Sequence, residues 1–439
     1  MTGTSLDPYS DRYAQRTRGM TASEIRALFA VVSRPEVVSL AGGMPYLNAL
    51  PLDAVGAMIG ELVSVKGTAA LQYGSGQGDL RLRERICDVM ALEGIRGASP
   101  DDVVVTVGSQ QGLDIVSRVF LDPGDVVLAE GPSYVGALGT FAAAEAEVIH
   151  LPMDSDGLVP AVLAEMLERL TREGRRAKFL YTVPTFNNPA GVTLSVDRRP
   201  EILALADRYD LLVLEDNPYG LLGFDGATLP ALRSLSESRV IYLGSFSKTF
   251  APGLRVGWVL ASHAVREKLV LASEAQILCP PTFSQFAVAE YLDTQPWLEQ
   301  VKVFRELYRE RRDAMLTALT ALMPAGCTWT EPGGGFYVWM TLPEGLNAKV
   351  MQPRAVHARV AYVPGIGFYA DGSGERELRL SYCYPEPDRI REGVRRLAGV
   401  IEEELDLSAT FLSGRGERRP AHRDRGSAAS ADAPAADLA

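Results

Sequence analysis

Between Pro51 and about Gln295, short apolar runs alternate with longer stretches of helical character. The runs include Val103-Val104-Val105-Thr106-Val107, Val126-Val127-Leu128-Ala129, Phe179-Leu180-Tyr181-Thr182-Val183, Leu211 to Leu214 and Val240 to Leu243. None alternates apolar with polar residues. A strand that is apolar at nearly every position has both faces covered, and the helical stretches between the runs are what covers them. Strands joined by helical crossovers run parallel. The chain is therefore expected to be α/β, with a large domain over 51–299 built on a mostly parallel sheet flanked by helices.

The pattern changes after Trp297. A long charged helix is expected from Gln300 to about Leu322. Gly333 to Met340 and Glu377 to Tyr382 read as strands of a smaller α+β domain over 300–407. A helix from Pro387 to about Leu405 closes that domain. The 439 residues suffice for two or three such units. At the other end, 1–12 is polar and expected to be flexible. The segment 13–50 holds a helix at Thr21 to Val32 with a Thr or Ser cap, then a short strand entering the Gly42-Gly43 turn. The tail 408–439 is rich in Gly, Arg, Ser, Ala, Asp and Pro. It cannot bury apolar surface and is expected to be disordered.

Charge and cysteine content narrow the class. The formal net charge of −11 argues against non-specific binding to nucleic acid or anionic membrane. Cys87, Cys279, Cys327 and Cys383 make no CxxC pair and no zinc spacing. They read as structural thiols in a reducing compartment, with no metal site. No signal-peptide core and no run of transmembrane length is present, so cytoplasm is expected.

The chemistry gathers where the apolar runs end. Val240 to Gly244 leads into Ser245-Phe246-Ser247-Lys248, followed by Pro252-Gly253-Leu254-Arg255. A lone lysine there would mean little; two serines and an arginine around it suit a phosphate clamp. Leu211 to Leu214 ends in Glu215-Asp216-Asn217-Pro218-Tyr219, which supplies a carboxylate and a phenol. Thr106-Val107-Gly108-Ser109-Gln110 turns from a strand into a helix, whose free N–H groups suit an anion. Asn187-Asn188-Pro189-Ala190-Gly191 by itself reads as a turn. Arg379 stands in Leu378-Arg379-Leu380, where an apolar residue would face a core. A planar guanidinium there can hold a carboxylate through two hydrogen bonds.

In this order the segments resemble the class I and II aminotransferases of pyridoxal 5′-phosphate (PLP) fold type I, from about Val38 to about Leu407. The resemblance implies a seven-stranded type of sheet in the large domain and PLP as cofactor. It implies that Lys248 forms the Schiff base and that Asp216 keeps the pyridine nitrogen protonated. Asn188 and Tyr219 are placed on the cofactor's 3-oxygen. Gly108, Ser109, Gln110, Ser245, Ser247 and Arg255 are placed around the phosphate, and Tyr134 on the ring face. Tyr73 would reach the phosphate of a neighbouring subunit, which makes a homodimer with shared sites. Arg379, with Asn188 and the Gly42-Gly43 turn, would hold the substrate α-carboxylate.

Transamination is the expected reaction: an L-amino acid gives its amino group to a 2-oxo acid, 2-oxoglutarate being the expected acceptor. The segment from Arg18 to Phe29, with Val37 to Pro45, looks like the 2-aminoadipate, kynurenine and aromatic aminotransferase branch. There the first helix covers the substrate side chain, so 13–50 would join the small domain to the active-site entrance. Arg26 would then pair with a distal carboxylate, or it is an exposed helix arginine; donors with aromatic or apolar side chains stay open. Fold does not fix the outcome, so a PLP-dependent lyase, decarboxylase or cyclase is the alternative. A PLP-binding regulatory domain without turnover is a further reading, disfavoured because no helix-turn-helix unit precedes Ala41-Gly42-Gly43.

Overall fold

The computed structural model describes residue 9, residues 11–17 and residues 34–415. The helix expected at 21–32, Arg26 within it, and most of 1–12 lie outside the described residues. Fourteen strands are described. They are β1 (Val38–Ser39), β2 (Val103–Val107), β3 (Val126–Gly131), β4 (Glu147–Asp154), β5 (Gly157–Leu158), β6 (Ala177–Thr182), β7 (Leu212–Asp216) and β8 (Val240–Ser245). Then come β9 (Val256–Leu260), β10 (Thr328–Trp329), β11 (Tyr337–Thr341), β12 (Val360–Ala361), β13 (Val363–Pro364) and β14 (Glu377–Ser381).

The large sheet has the order β2-β9-β8-β7-β6-β3-β4-β5. Its pairs are parallel from β8 through β7, β6 and β3 to β4. The sheet is thus mostly parallel, with eight strands rather than seven because the two-residue β5 turns back against β4. Strand β9 is antiparallel to both neighbours, β2 and β8. So β2 runs the same way as β8, and the C-terminal ends of β2, β3, β6, β7 and β8 share one edge. Nearly every residue of β2, β3, β7, β8 and β9 is buried, as their unbroken apolar runs require. In open α/β sheets ligands bind off that C-terminal edge.

A second sheet, ordered β10-β11-β14-β13, is antiparallel throughout. The helix Trp297–Leu322 leads to it from the large sheet. The segment before residue 50 is tied to this second sheet rather than to the first. Strand β1 pairs in parallel with β12. Ser381 N–H donates to Leu40 O at 2.7 Å, and Leu40 N–H to Ala361 O at 2.8 Å. This pairing carries Ala41, Gly42 and Gly43 to Arg379.

One expectation needs correction. The last helix runs Pro387–Arg415 and does not stop near Leu405. No glycine or proline interrupts the stretch before Gly414, except Gly393 and Gly399 early in the helix. Arg354 holds Glu404 at 2.8 Å near the expected end. The proposed tail therefore begins inside a helix, and residues 416–439 lie outside the described residues.

Candidate active site

Lys248 lies just beyond β8 and is half-buried. Its Nζ donates to Gly43 O at 3.0 Å and lies 5.6 Å from the Phe336 ring centre. Burial lowers its pKa to about 8, and the nearby charges of Arg379 and Arg255 push the same way. An amine with a pKa there is neutral often enough to act as nucleophile and base near pH 8.

Asp216 ends β7 and is buried. Tyr181, reaching across from β6, donates to its Oδ2 at 3.1 Å. Its Oδ1 is buried without a hydrogen-bond partner. Burial raises the Asp216 pKa to about 7, against the opposing pull of Tyr181 and Lys248. A buried carboxylate oxygen with no donor is costly, and it is relieved by a cationic N–H placed against it.

The anion cradle is preformed. Ser247 N–H and Oγ engage Ser245 Oγ at 3.0 and 2.9 Å. Arg255 Nη1 donates to Ser247 Oγ at 3.3 Å, and its Nη2 to Val107 O at 3.3 Å. Gly108 opens the helix Gly108–Phe120 at φ +72°. A Cβ on Gly108 would lie 2.3 Å from Arg255 Nη2, so only glycine lets the guanidinium close over the helix start. The next N–H groups, of Ser109 and Gln110, belong to the helix's first turn, which has no intrahelical acceptors for them. Gln110 also accepts from the Tyr134 hydroxyl at 3.3 Å while donating to Thr140 Oγ1 and Gly136 O, which orients the Tyr134 ring.

Arg379 is buried in β14. Its Nη1 donates to Asn188 Oδ1 at 2.9 Å and its Nη2 to Ala41 O at 2.8 Å. Its Nε is buried and unpartnered. The guanidinium lies over Tyr337 at 4.1 Å and Phe368 at 5.1 Å from the ring centres. Twelve of the expected residues line one cavity of about 270 Å³: Gly43, Ser109, Gln110, Tyr134, Asn188, Asp216, Tyr219, Ser245, Ser247, Lys248, Arg255 and Arg379. Gly108 stands behind Arg255 rather than in the lining, and Gly42 one residue outside it. Tyr73 is 77% exposed and is not among the residues lining this cavity.

The sequence pattern of the aminotransferase class I and II family matches residues 36–397. The chain belongs to the class I and II aminotransferases. This aminotransferase is 42% identical to an aromatic-amino-acid aminotransferase of Thermococcus litoralis, over 90% of this chain and 95% of that one. A kynurenine aminotransferase of Pyrococcus horikoshii, solved with PMP, KYN and KYA, superposes with a TM-score of 0.86 at 41% identity, over 91% of this chain and 98% of that one. An α-aminoadipate aminotransferase of Thermus thermophilus, complexed with N-(5′-phosphopyridoxyl)-L-leucine, superposes with a TM-score of 0.84 at 37% identity, over 91% of this chain and 99% of that one. The protein is a PLP-dependent aminotransferase of fold type I.

The residues present suit that cofactor. The unpaired Asp216 Oδ1 suits a protonated pyridine nitrogen, and the Ser245–Ser247–Arg255 cradle at a helix start suits a phosphate dianion. Tyr134 and Lys248 border the space between them. Several neighbours of the site in this aminotransferase do not stand out in the sequence. Tyr337 and Phe368 lie against Arg379, Tyr181 holds Asp216, and Met44 and Pro218 line the cavity. Tyr337 and Phe368 sit in apolar runs, where an aromatic reads as core. Only their register shows what they face.

Proposed function

We propose that this aminotransferase moves the amino group of an L-amino acid with an aromatic, apolar or 2-aminoadipate side chain to 2-oxoglutarate. The carrying observation is a lysine with a pKa lowered to about 8 and an aspartate with an unpaired buried oxygen in one cavity, roofed by a buried arginine. The bound cofactor supplies an electrophilic carbon and a ring that withdraws electrons from the bond to the substrate Cα hydrogen. With the cofactor in place, Lys248 Nζ would hold it covalently and would serve as the base and acid that moves the substrate Cα proton. Asp216 would keep the pyridine nitrogen protonated. Asn188 Nδ2 and the Tyr219 hydroxyl hold the 3-oxygen; Asn188 Oδ1 is already committed to Arg379. Arg379 binds the α-carboxylate through the edge that includes its free Nε. Gly42 and Gly43 would bring the backbone close, and Arg26 would pair with a distal carboxylate when the donor has one.

The side-chain preference is supported by the apolar and aromatic lining at Met44, Tyr134, Pro218 and Tyr337, and by the relatives named above. We further propose that 51–299 and 300–407 act as two domains, with 13–50 belonging with the small domain at the active-site entrance. A homodimer is supported by exposed large apolar residues, among them Val65 (71%), Leu71 (73%), Tyr73 (77%) and Leu278 (59%). Gly74 and Gly76 pack against Thr282 and Glu274, which places the Tyr73 loop beside the helices that carry those residues. Tyr73 then serves the partner's phosphate. Among the described residues no helix is long and apolar enough to cross a membrane. The four free cysteines support a cytoplasmic location.

The test is a single-turnover absorbance assay on the PLP-loaded protein. It is mixed in turn with 2-aminoadipate, glutamate, leucine, phenylalanine, kynurenine and alanine, without acceptor. Conversion of the cofactor to its amine form, reversed by 2-oxoglutarate, is the expected result, and the fastest donor ranks the side chains. Ammonia release or decarboxylation with no amine form of the cofactor would move the protein to the lyase or decarboxylase reading.

A further inference from the structure

Glu130 is a fully buried carboxylate that the chemistry above does not use. It lies in β3, 2% exposed. Its Oε1 accepts from Thr182 Oγ1 at 2.6 Å. Its Oε2 accepts from Val183 N–H at 2.9 Å and from Asn187 Nδ2 at 2.8 Å. These donors end β6 and begin the turn that presents Asn188. Asn187 is fixed on its other sides as well: its Oδ1 accepts from Ala190 N–H at 3.0 Å and its N–H donates to Val192 O at 2.8 Å. The next residue, Asn188, holds Arg379 Nη1.

The backbone of Glu130 anchors the opposite side of the same clamp. Its carbonyl accepts from Ser133 Oγ at 2.6 Å and meets His150 Nδ1 at 2.9 Å. Ser133 N–H donates to Phe368 O at 2.9 Å, and Phe368 lies under the Arg379 guanidinium. Ala370 N–H donates to His150 Nε2 at 2.8 Å. That bond requires the tautomer with the proton on Nδ1, which then donates to the Glu130 carbonyl. One residue of the large sheet thus ties down both the turn carrying Asn188 and the segment carrying Phe368.

We propose that Glu130 is a positioning residue for substrate-carboxylate binding, setting the Asn188–Arg379 pair through Asn187. It touches neither substrate nor cofactor. The inference rests on the reading of Arg379 as the carboxylate anchor.

Three variants of the PLP-loaded enzyme test it, beside Arg379→Ala. In Glu130→Gln the amide oxygen takes the place of Oε2 and keeps Val183 and Asn187, while the Thr182 hydroxyl turns to accept from the amide nitrogen. This variant is expected within about threefold of the parent in KM for the fastest donor. Glu130→Asp keeps the charge but is a methylene too short. Asn187→Ala cuts the same link from the other end and covers the case in which Glu130→Asp does not fold. Both are expected to raise KM about tenfold or more, the worth of one charge-assisted hydrogen bond. The borohydride-reducible cofactor band and kcat at saturating donor should stay near the parent's. An unchanged KM in Glu130→Asp and Asn187→Ala overturns the inference, as does parallel loss of kcat and of bound cofactor, which marks general loosening. A Glu130→Gln variant as poor as Glu130→Asp also overturns it, because keeping the reach to Val183 and Asn187 would then not keep the clamp in place. If Arg379→Ala leaves KM unchanged, the anchor reading itself fails; if only the Glu130 and Asn187 variants do, the anchor stands and the positioning role falls.

Discussion

Tyr181 donates to Asp216 Oδ2 from the strand beside it, leaving Asp216 Oδ1 as the oxygen with no protein donor. Parallel pairing of β6 and β7, with Tyr181 in register with Leu214, puts the phenol two residues short of the carboxylate and within reach of it. The arrangement leaves Oδ1 as the oxygen that would be free for a pyridine nitrogen. A hydrogen bond to a charged group is worth about 1.5–3 kcal/mol, so Tyr181→Phe is expected to lower kcat by about 10- to 100-fold. Asp216→Asn, which removes the charge, should lower it further. Equal kcat in Tyr181→Phe and the parent would show that Asp216 needs no support from β6.

Lys248→Ala should abolish both turnover and the covalent fixation of cofactor by borohydride. Burial sets the lysine pKa near 8, so in the cofactor-free protein its amine should react with an added aldehyde far faster at pH 8 than at pH 6. Mass mapping of the reduced adduct checks the site. An adduct on another lysine, with Lys248→Ala still reducible, would remove Lys248 from the role.

Much of this site is legible in the sequence because its parts hang on strand ends. Lys248, Asp216, Asn188 and Gly108 each follow an apolar run, and parallel strands bring such ends to one edge whatever the strand order. Strand direction is not legible in the same way. Nothing in Val256 to Leu260 says that β9 runs backwards, yet that reversal returns Arg255 to the cradle. Tyr337, Phe368 and Tyr181 were hidden for another reason: a buried aromatic in an apolar run looks the same whether it faces the core or a guanidinium. Glu130 follows the apolar run Val126 to Ala129 and precedes Gly-Pro, and nothing in that pattern shows that its carboxylate is wholly buried. The last helix outruns its expected end because 406–413 holds no glycine or proline to stop it, whatever its polar composition.

Buried carboxyls behind the site should leave a mark on stability. Glu93 accepts from Asn217 Nδ2 at 2.9 Å and from the Tyr242 hydroxyl, with Glu215 and Arg199 also close enough to act on it. Burial raises its pKa to about 8, and Glu215 adds to the rise. A carboxyl whose folded pKa lies above its ordinary 4.5 binds its proton more tightly in the native state. Its contribution is present below the ordinary value and is lost as pH rises towards 8. Glu93→Gln should therefore gain in Tm relative to the parent between pH 5 and pH 8, as measured on the cofactor-free protein. A Tm difference that does not change with pH would mean that Glu93 is already ionised at pH 5.

Arg379→Lys keeps the charge but not the fork. A lysine cannot donate to Asn188 Oδ1, Ala41 O and a substrate carboxylate in one plane, and it loses the flat face that rests on Tyr337. The expected result is a KM raised about 10- to 100-fold for every donor alike, with the cofactor band unchanged. A rise confined to one donor would place Arg379 against the side chain instead of the α-carboxylate.

Gly43 gives a sharper test of how tightly the clamp is packed. A Cβ at this position would fall 2.0 Å from the Tyr337 hydroxyl and 3.1 Å from the ring carbon that bears it. The first contact cannot stand, so Gly43→Ala must push Tyr337 off Arg379 or move the Gly43 carbonyl off Lys248. The expected cost is about 10-fold or more in kcat/KM, the effect of a displaced positioning group. Adding Tyr337→Phe removes the 2.0 Å contact and leaves only the tight one at 3.1 Å. The double variant should therefore recover most of the loss, and the cycle completed with Tyr337→Phe alone should show coupling between the two positions. If the losses simply add, the two residues do not meet in the working enzyme. The bare backbone at Gly43 would then be there for the substrate's approach and not for the tyrosine.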